Sequence, residues 1–449
     1  MVRKLKLINI EEPTHILALN VDPQKRKKMK INKTLLKIYV LSSLIYFAQG
    51  IEGLPGLAFF LFLKEKLGFT AEKVMFIGSI TGLAWVIKPL WGYLCDNYLS
   101  KKIWIILSLL GSIGISLFFG LSPLIPLGII ILMLSLGGAN AAIRDVAVDG
   151  IMCVDGKAND NCDKIQAIQW TSITIASILV GLGGGYIAQH FTYKMGYLCL
   201  IPIYLIIAGV VLKYRTTVPQ NRTTDLCNKC KCSQDQYCLA HDAPNKQPCD
   251  LFKPKNSFIQ SICSYKELFT DKKFLFACLF LFLYKYSPSF GTPLSYIERD
   301  TFKWSAQFMG MLGAIVSCFE IIGSIIFFKI CKKVKIKKWL YISVFLGAIT
   351  SLCYLYFTPV SAIIYGIAFA VLGMFIHLIV MSFMAKSTIP GKEATSFALL
   401  CSISNLAAGS ASSLTGAFLL PKIGLHPLII LSAVTSFICL PLIKKLEIK

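Results

Sequence analysis

Charged side chains occur at a few positions inside long apolar stretches of this 449-residue chain. The densest group is Arg144, Asp145 and Asp149, with Asn140 one turn before Arg144. Residues four apart lie on one face of a helix, so Asn140 and Arg144 share one face and the two aspartates a neighbouring one. Arg144 has a planar fork that suits carboxylates, and either aspartate could neutralise it. The cluster therefore predicts an anion-binding site or, alternatively, a structural ion network.

Other ionisable residues stand alone in the apolar stretches. The candidates for binding an anionic substrate are Arg144, Lys285 and Lys88, and the candidates for ion pairing or proton coupling are Glu52, Asp145, Asp149 and Glu320. Glu320 is expected to pair with Lys285. Pro288, which follows Lys285, predicts a break in that helix. His377 is a weaker candidate for a functional residue, and a hydrogen-bonded core histidine is the interpretation that we favour.

The elements that must position these residues are membrane-spanning helices. Apolar residues make up 55% of the chain and charged residues 15%, which is more apolar surface than one soluble core can hide. A bilayer needs roughly 20 apolar residues per helix, and about twelve such stretches occur, here called spans 1 to 12. They lie at 35–63, 74–94, 103–122, 126–152, 164–189, 196–213, 272–293, 306–328, 339–358, 360–384, 394–419 and 425–443.

The spans form two groups of six around a polar stretch. The expected domains are a basic N-terminal tail (1–34), a first six-helix bundle (35–214), a central loop (215–271), a second six-helix bundle (272–443) and a C-terminal tail (444–449). With both tails in the cytosol, the cytosolic segments hold roughly 35 basic residues and the opposite loops about 7, as the positive-inside rule requires. The formal charge of +23 therefore reflects orientation, and no nucleic-acid partner is expected.

The central loop is rich in cysteine. Its expected cytosolic location argues against disulfides. Cys227 and Cys230 have the spacing of zinc ligands, and Cys232, Cys238, His241 or Cys249 could complete a tetrahedral site, with Cys232 and Cys238 as the first candidates. The alternative, which we favour, is a poorly ordered linker with reduced thiols. Apart from this zinc, no cofactor is expected.

A short motif follows span 2. Gly92 and Asp96, with Lys101 and Lys102, resemble the loop signature between the second and third helices of the major facilitator superfamily. Asp96 could pair with a basic residue or a helix N-terminus of the other bundle and so hold one conformation. We expect a gating role for these four residues.

Longer segments resemble the folate-biopterin transporter family. They are residues 82–96, RDVAVDG at 144–150, and EATSFALL at 393–400 with SISN at 402–405. Residues 285–293 and 308–310 are also similar to that family, so the resemblance spans nearly the whole chain. It implies an all-α major facilitator fold that carries folates or related pterins, usually by proton symport. The Lys- and Ile-rich composition is similar to that of apicomplexan parasite members.

A folate has a flat ring system and an anionic tail, so its cavity needs aromatic or apolar walls and cationic groups. The candidate walls are Tyr46, Trp85, Phe290 and Tyr296. The expected partners are an anionic small molecule, protons and the lipid bilayer, and the chain is expected to be a monomer. We expect the plasma membrane, with an organelle membrane as the alternative.

The expected function is therefore secondary active transport. No constellation of His, Asp or Cys that faces one membrane surface is evident, so an enzyme is not expected. Two alternatives stay open: a transporter of another anionic metabolite, and a receptor or scaffold that transports nothing.

Overall fold

Helices dominate the structure. The computed structural model describes residues 23–123, 126–157, 162–213, 268, 270–389 and 393–446, together with three two-residue strands between 233 and 244. Eleven of the described helical segments are long and apolar enough to cross a bilayer, and they correspond to spans 1 to 6 and 8 to 12. They cover Leu36–Lys66, Ala71–Cys95, Lys101–Leu121, Leu127–Ile151, Lys164–His190, Tyr193–Lys213, Ala306–Ile330, Ile336–Cys353, Pro359–Lys386, Ser396–Ile423 and Leu425–Lys445.

Span 7 is broken near its middle. Its two helices, Lys272–Lys285 and Gly291–Asp300, are each too short to cross a bilayer alone. Pro288 lies between them, where it cannot donate a backbone hydrogen bond and disfavours helix at the preceding residue. The next backbone N–H, from Ser289, donates to the Ser412 carbonyl of span 11 at 3.0 Å. The break predicted after Lys285 is confirmed.

Six spans are continuous helices, and five change geometry part-way. The continuous helices are Lys101–Leu121, Leu127–Lys157, Tyr193–Lys213, Ala306–Ile330, Ile336–Cys353 and Pro359–Lys386. Span 1 consists of Pro23–Ile51, Gly56–Leu61 and the π-helical Phe62–Lys66, and span 2 consists of Ala71–Thr81, Leu83–Val86 and Lys88–Asn97. A π-helical turn divides span 5 (Cys162–Leu179, Val180–Gly184, Gly185–His190) and span 11 (Glu393–Asn405, Leu406–Ala411, Ser412–Ile423). A 3₁₀ turn divides span 12 (Leu425–Ser436, Phe437–Cys439, Leu440–Lys445). A 3₁₀ turn, Cys331–Lys333, precedes span 9.

The only strands in the described residues lie between spans 6 and 7. β1 (Ser233–Gln234), β2 (Tyr237–Cys238) and β3 (Ala243–Pro244) form a small antiparallel sheet in that order. Ser233 is opposite Cys238, and Tyr237 is opposite Pro244.

Large apolar side chains are exposed along the outer surfaces of the helices, as at Leu121, Ile206 and Val360. Exposed apolar area on this scale is unfavourable in water and is suited to lipid. Small residues lie between the packed helices in the interior. Buried serines such as Ser108 donate back to carbonyls of the preceding turn. The chain is a multi-pass membrane protein.

Spans 1 to 6 contact spans 7 to 12 along two seams. Span 5 packs against span 8, and span 2 packs against span 11. In the first seam, Gly181 and Gly185 lie against Gly310, and a methyl group at Gly181 or Gly310 would overlap the backbone of the other span. Glycine at these positions lets the two helix backbones approach closely.

The start of span 1 and the end of span 12 lie at the same end of the helix assembly. We call the end where span 1 begins and span 12 ends the tail face, and the opposite end the far face. At the tail face, Lys102 Nζ donates to the Leu212 carbonyl and Lys337 Nζ to the Lys444 carbonyl, each at 2.8 Å. Lysines at these positions satisfy carbonyls at the ends of spans 6 and 12.

Candidate functional site

A cavity of about 290 Å³ lies between the first six and the last six spans. Its walls come from spans 1, 2, 4 and 5 on one side and from spans 10 and 11 on the other. The lining residues are Tyr46, Gln49, Trp85, Lys88, Asp145, Asp149, Trp170, His377, Met381, Met384, Cys401, Ser404 and Asn405. Aromatic and apolar walls with a few polar groups are typical of small-molecule sites.

An ion pair forms part of the cavity wall. Lys88 Nζ in span 2 lies 2.5 Å from Asp145 Oδ2 in span 4, and the two residues are only 7% and 3% exposed. The same ammonium lies 5.1 Å from the centre of the Trp85 ring. The pair neutralises both charges at a site where either alone would be costly. Lys88, a predicted substrate ligand, therefore already has a carboxylate partner.

Asp149 is the second carboxylate of the cavity, and its partners are neutral. It lies one turn after Asp145 in span 4. The Tyr46 hydroxyl donates to Asp149 Oδ1 at 2.8 Å, and the Gln169 amide donates to the same oxygen at 3.5 Å. Within the described ranges, no cation lies at salt-bridge distance from Asp149. Among the described charged residues of the cavity wall, Asp149 is therefore the one without an ion-pair partner.

Arg144 lies outside the cavity wall. It is fully buried; its Nη2 donates to Glu52 of span 1, and its Nη1 donates to Ser112 Oγ at 3.3 Å. Glu52 is thus its ion-pair partner, and the expectation that Asp145 or Asp149 neutralises it is wrong. The helix packing decides this, since span 1 brings Glu52 to the guanidinium while span 2 brings Lys88 to Asp145. The geometry gives Arg144 no access to this cavity, and its substrate role stays a prediction.

Lys285 has no carboxylate partner in the part of the chain described. It is half-buried at the last residue of the first helix of span 7. The predicted pair with Glu320 is absent, because the two helices are not neighbours. The first helix of span 7 packs against spans 11 and 12, whereas span 8, which carries Glu320, packs against spans 5 and 10.

His377 lies in span 10, on the cavity wall opposite spans 1, 2, 4 and 5. Its ring lines the cavity and meets Trp170 edge-on, with ring centres 4.0 Å apart. Its buried Nε2 has no hydrogen-bond partner among the described residues, so the prediction of a hydrogen-bonded core histidine is wrong. The first helix of span 7 and span 10 run in opposite directions, and their Phe280 and Phe383 rings meet edge-on with centres 5.3 Å apart. Lys285 lies five residues after Phe280 and His377 six residues before Phe383, so the two residues lie at a similar depth in the membrane. Neither Trp170 nor His377 carries a sequence signal that separates it from an ordinary core residue.

Two of the four predicted aromatic walls line the cavity. Tyr46 and Trp85 do so. Phe290 instead packs against Tyr354, with ring centres 5.7 Å apart. The Tyr296 hydroxyl donates to the Phe69 carbonyl at 2.5 Å, at the far face.

The motif residues after span 2 make contacts within the first six spans. Gly92 faces Val146 of span 4, and the Lys101 side chain lies against Gly150 of the same span. Lys102 donates to the end of span 6, as described above. The Asp96 side chain lies outside the described part of the structure, so the proposed contact with the other bundle and the gating role stay predictions.

The predicted zinc ligands also fall outside the described part. Cys227, Cys230 and Cys232 lie in the undescribed segment, and Cys238 is described only as backbone of β2. The zinc site stays a prediction.

Two ion pairs join span 1 to span 7 at the far face, and neither was predicted from the sequence. Lys64 Nζ lies 2.5 Å from Asp300 Oδ1, and Arg299 Nε lies 2.7 Å from Glu65 Oε1. Both are contacts between the first six and the last six spans. The signal was present in the sequence, since both spans end in adjacent residues of opposite charge.

The fold matches that of known transporters. The structure of a D-xylose-proton symporter aligns with a TM-score of 0.64 at 11% identity, covering 91% of this chain and 99% of that one. The E. coli fucose:proton symporter aligns with a TM-score of 0.61 at 14% identity, covering 93% and 100%. The fold is therefore the predicted major facilitator fold, with its two six-helix bundles.

Sequence comparison is more specific. The folate-biopterin transporter of Synechocystis sp. is 23% identical over 387 residues, which cover 81% of this chain and 71% of that protein. A probable folate-biopterin transporter of Arabidopsis thaliana is 26% identical over 154 residues, or 32% of this chain and 31% of that protein. These relatives are transporters and not enzymes. A model of the BT1 family matches residues 49–446, and this chain therefore belongs to that family of folate-biopterin transporters.

Proposed function

We propose that this membrane transporter carries folates or related pterins by alternating access, with proton symport. The observation that carries the proposal is the cavity between the two sets of six spans. Its volume of about 290 Å³ lies just below the range of roughly 300–1,000 Å³ that is typical of small-molecule sites. Trp85 and Trp170 offer flat apolar surface for a bicyclic ring, and the polar lining offers hydrogen bonds to its edges.

Alternating access requires two sets of helices that can move against each other around a central site. The seams between spans 5 and 8 and between spans 2 and 11 are the surfaces on which such movement would occur. The ion pairs between spans 1 and 7 close the far face, so the present arrangement fits a state that is shut on that side.

Proton coupling needs a carboxylate that can bind and release a proton in reach of the cavity. Asp149 fits best, because it lines the cavity and has only neutral hydrogen-bond partners. Asp145 is held by Lys88, and Glu52 is held by Arg144. Glu52 is the second candidate, since it could be protonated if Arg144 were released from it.

We also propose that the tail face is cytosolic and that the chain acts as a monomer in the plasma membrane. The excess of lysine and arginine in the tail-face segments supports the orientation.

Uptake into proteoliposomes tests the proposal. Purified protein is reconstituted, and labelled folate and biopterin are supplied with an inward proton gradient. We expect accumulation of at least one of them, which collapses when a protonophore is added, and none in protein-free liposomes. Uptake of other organic anions but neither of these would favour the alternative cargo. No uptake of any tested anion by folded protein would favour a receptor or scaffold.

A further inference from the structure

We infer that Lys285, together with His377 at a similar depth on span 10, binds the anionic tail of the substrate while the flat ring occupies the cavity lined by Trp85 and Trp170. This inference rests on the proposed function and adds an orientation to it. The tail would point towards spans 7 and 10, and the ring would lie nearer to span 4.

The distribution of charge around the cavity sets this orientation. Spans 1 to 6 place two carboxylates on the wall, and only Asp145 is neutralised by Lys88. Among the described lining residues, spans 10 and 11 contribute no carboxylate. A carboxylate on the ligand would therefore be repelled by Asp149 and attracted towards Lys285.

Neither Lys285 nor His377 has a polar partner among the described residues, and an anionic group on the ligand could serve both. A half-buried ammonium in a membrane span is unfavourable without a counter-charge, and the described residues offer Lys285 none. The buried His377 Nε2 likewise has no partner. With its hydrogen on Nε2, the imidazole donates to a carboxylate oxygen, and the bond to an ion is stronger than one between neutral groups.

The break in span 7 places Lys285 where a long ligand could extend. The helix ends at this residue, and the backbone of 286–290 is irregular. Irregular backbone at membrane depth is tolerated where it is buried in protein or lines a cavity, and broken helices frequently bound transporter sites. Because the cavity is too small for a ligand with a long tail, the ring would occupy it and the tail would extend past His377 towards Lys285.

Binding of two ligands to the purified protein tests the inference. Folate carries carboxylates on its tail, whereas biopterin has a similar ring and no carboxylate. We expect Lys285→Met to weaken folate binding at least about tenfold and to change biopterin binding by less than about twofold. Lys285→Arg should retain most of the folate affinity, since it keeps the charge. His377→Gln should weaken folate selectively and by less than Lys285→Met does.

The matched control is Lys272→Met, which removes an exposed lysine from the first residue of the same helix. It should leave both affinities unchanged. Equal weakening of folate and biopterin by Lys285→Met, or unchanged folate binding, would overturn the inference. If Lys285→Met does not fold, the same selectivity is read from His377→Gln, and its absence there is equally decisive. Failure of the wild-type protein to bind either ligand would instead contradict the proposed function.

Discussion

Span 4 carries consecutive charged residues with different roles in the structure. Arg144 is fully buried against Glu52, away from the cavity, whereas Asp145 pairs with Lys88 on the cavity wall. A buried ion pair stabilises little relative to apolar residues of the same size, but removal of one member leaves an uncompensated charge. The first pair is thus placed to hold spans 1 and 4 together, and the second is placed to meet the substrate.

Replacement of Arg144 separates stability from binding. We expect Arg144→Ala to lower the free energy of unfolding by about 3–5 kcal/mol, because a large, fully buried side chain is removed and the half-buried Glu52 loses its counter-charge. The double variant Glu52→Ala, Arg144→Ala should be less destabilised than the sum of the single changes. Thermal unfolding in detergent, followed by tryptophan fluorescence, measures both. A well-folded Arg144→Ala protein that no longer binds folate would restore a substrate role for this arginine.

Replacement of Asp149 tests proton coupling. We expect Asp149→Asn to abolish accumulation driven by a pH gradient while counterflow exchange continues, since exchange needs no net proton movement. The asparagine amide keeps the size of the side chain and still accepts from Tyr46. Both transport modes are measured on the same proteoliposomes. Asp145→Asn is the comparison: it should reduce the yield of folded protein, because Lys88 would be left buried and unpaired.

At the scale of elements, the seam between spans 5 and 8 depends on close backbone contact. Gly310 faces Gly181 and Gly185 with no space for a side chain, whereas Gly313, one turn later in span 8, faces open space. The absence of side chains lets the two helices approach while few groups interlock. Such a surface suits a contact about which two bundles reorient.

The two glycines of span 8 offer a matched comparison. We expect Gly310→Ala to lower stability by about 1–3 kcal/mol through overpacking and to slow transport. Gly313→Ala should be nearly neutral, since its added methyl group meets nothing within 4 Å. Unfolding temperature and initial uptake rate measure the two effects. If the two variants behave identically, the packing of span 5 against span 8 does not depend on close approach of their backbones.

The elements were more predictable from the sequence than the contacts between them. Apolar length determines a span, and Pro288 determines the break in span 7, so both can be predicted from local sequence. The partner of Arg144 cannot, because Glu52 is 92 residues away and only the packing of spans 1 and 4 brings it close. The hydrogen bonding of His377 was predicted wrongly for the same reason, because an unpaired nitrogen depends on the residues packed around it and not on the local sequence.

At the scale of the whole molecule, the start of span 1 and the end of span 12 lie at one face, and the inter-bundle ion pairs lie at the other. The cavity lies between the bundles, and contacts between spans 1 and 7 join the bundles at the far face. In the proposed alternating-access cycle, these contacts would break and contacts at the tail face would form or tighten in turn.

The orientation of the molecule can be measured with single cysteines in a background that lacks reactive thiols. We expect a cysteine at Lys25, before span 1, to react only after a membrane-impermeant reagent is given access to the cytosolic side. A cysteine at Lys66, at the end of span 1, should react from outside. The basic residues concentrated at the tail face motivate this expectation. Labelling of both positions from the same side would contradict the topology.

We expect the far-face ion pairs to make the transporter sensitive to the ionic strength of its medium. Asp300 and Glu65 keep 56% and 40% of their side-chain surface exposed, so dissolved ions reach both pairs. Exposed pairs are worth about 0.2–1 kcal/mol each, and two of them shift the balance between closed and open forms on the order of 2- to 30-fold. Because ionic strength screens such pairs, added salt on that side should raise the population open to the exterior. Salinity would then act as a control on turnover without binding at the substrate site.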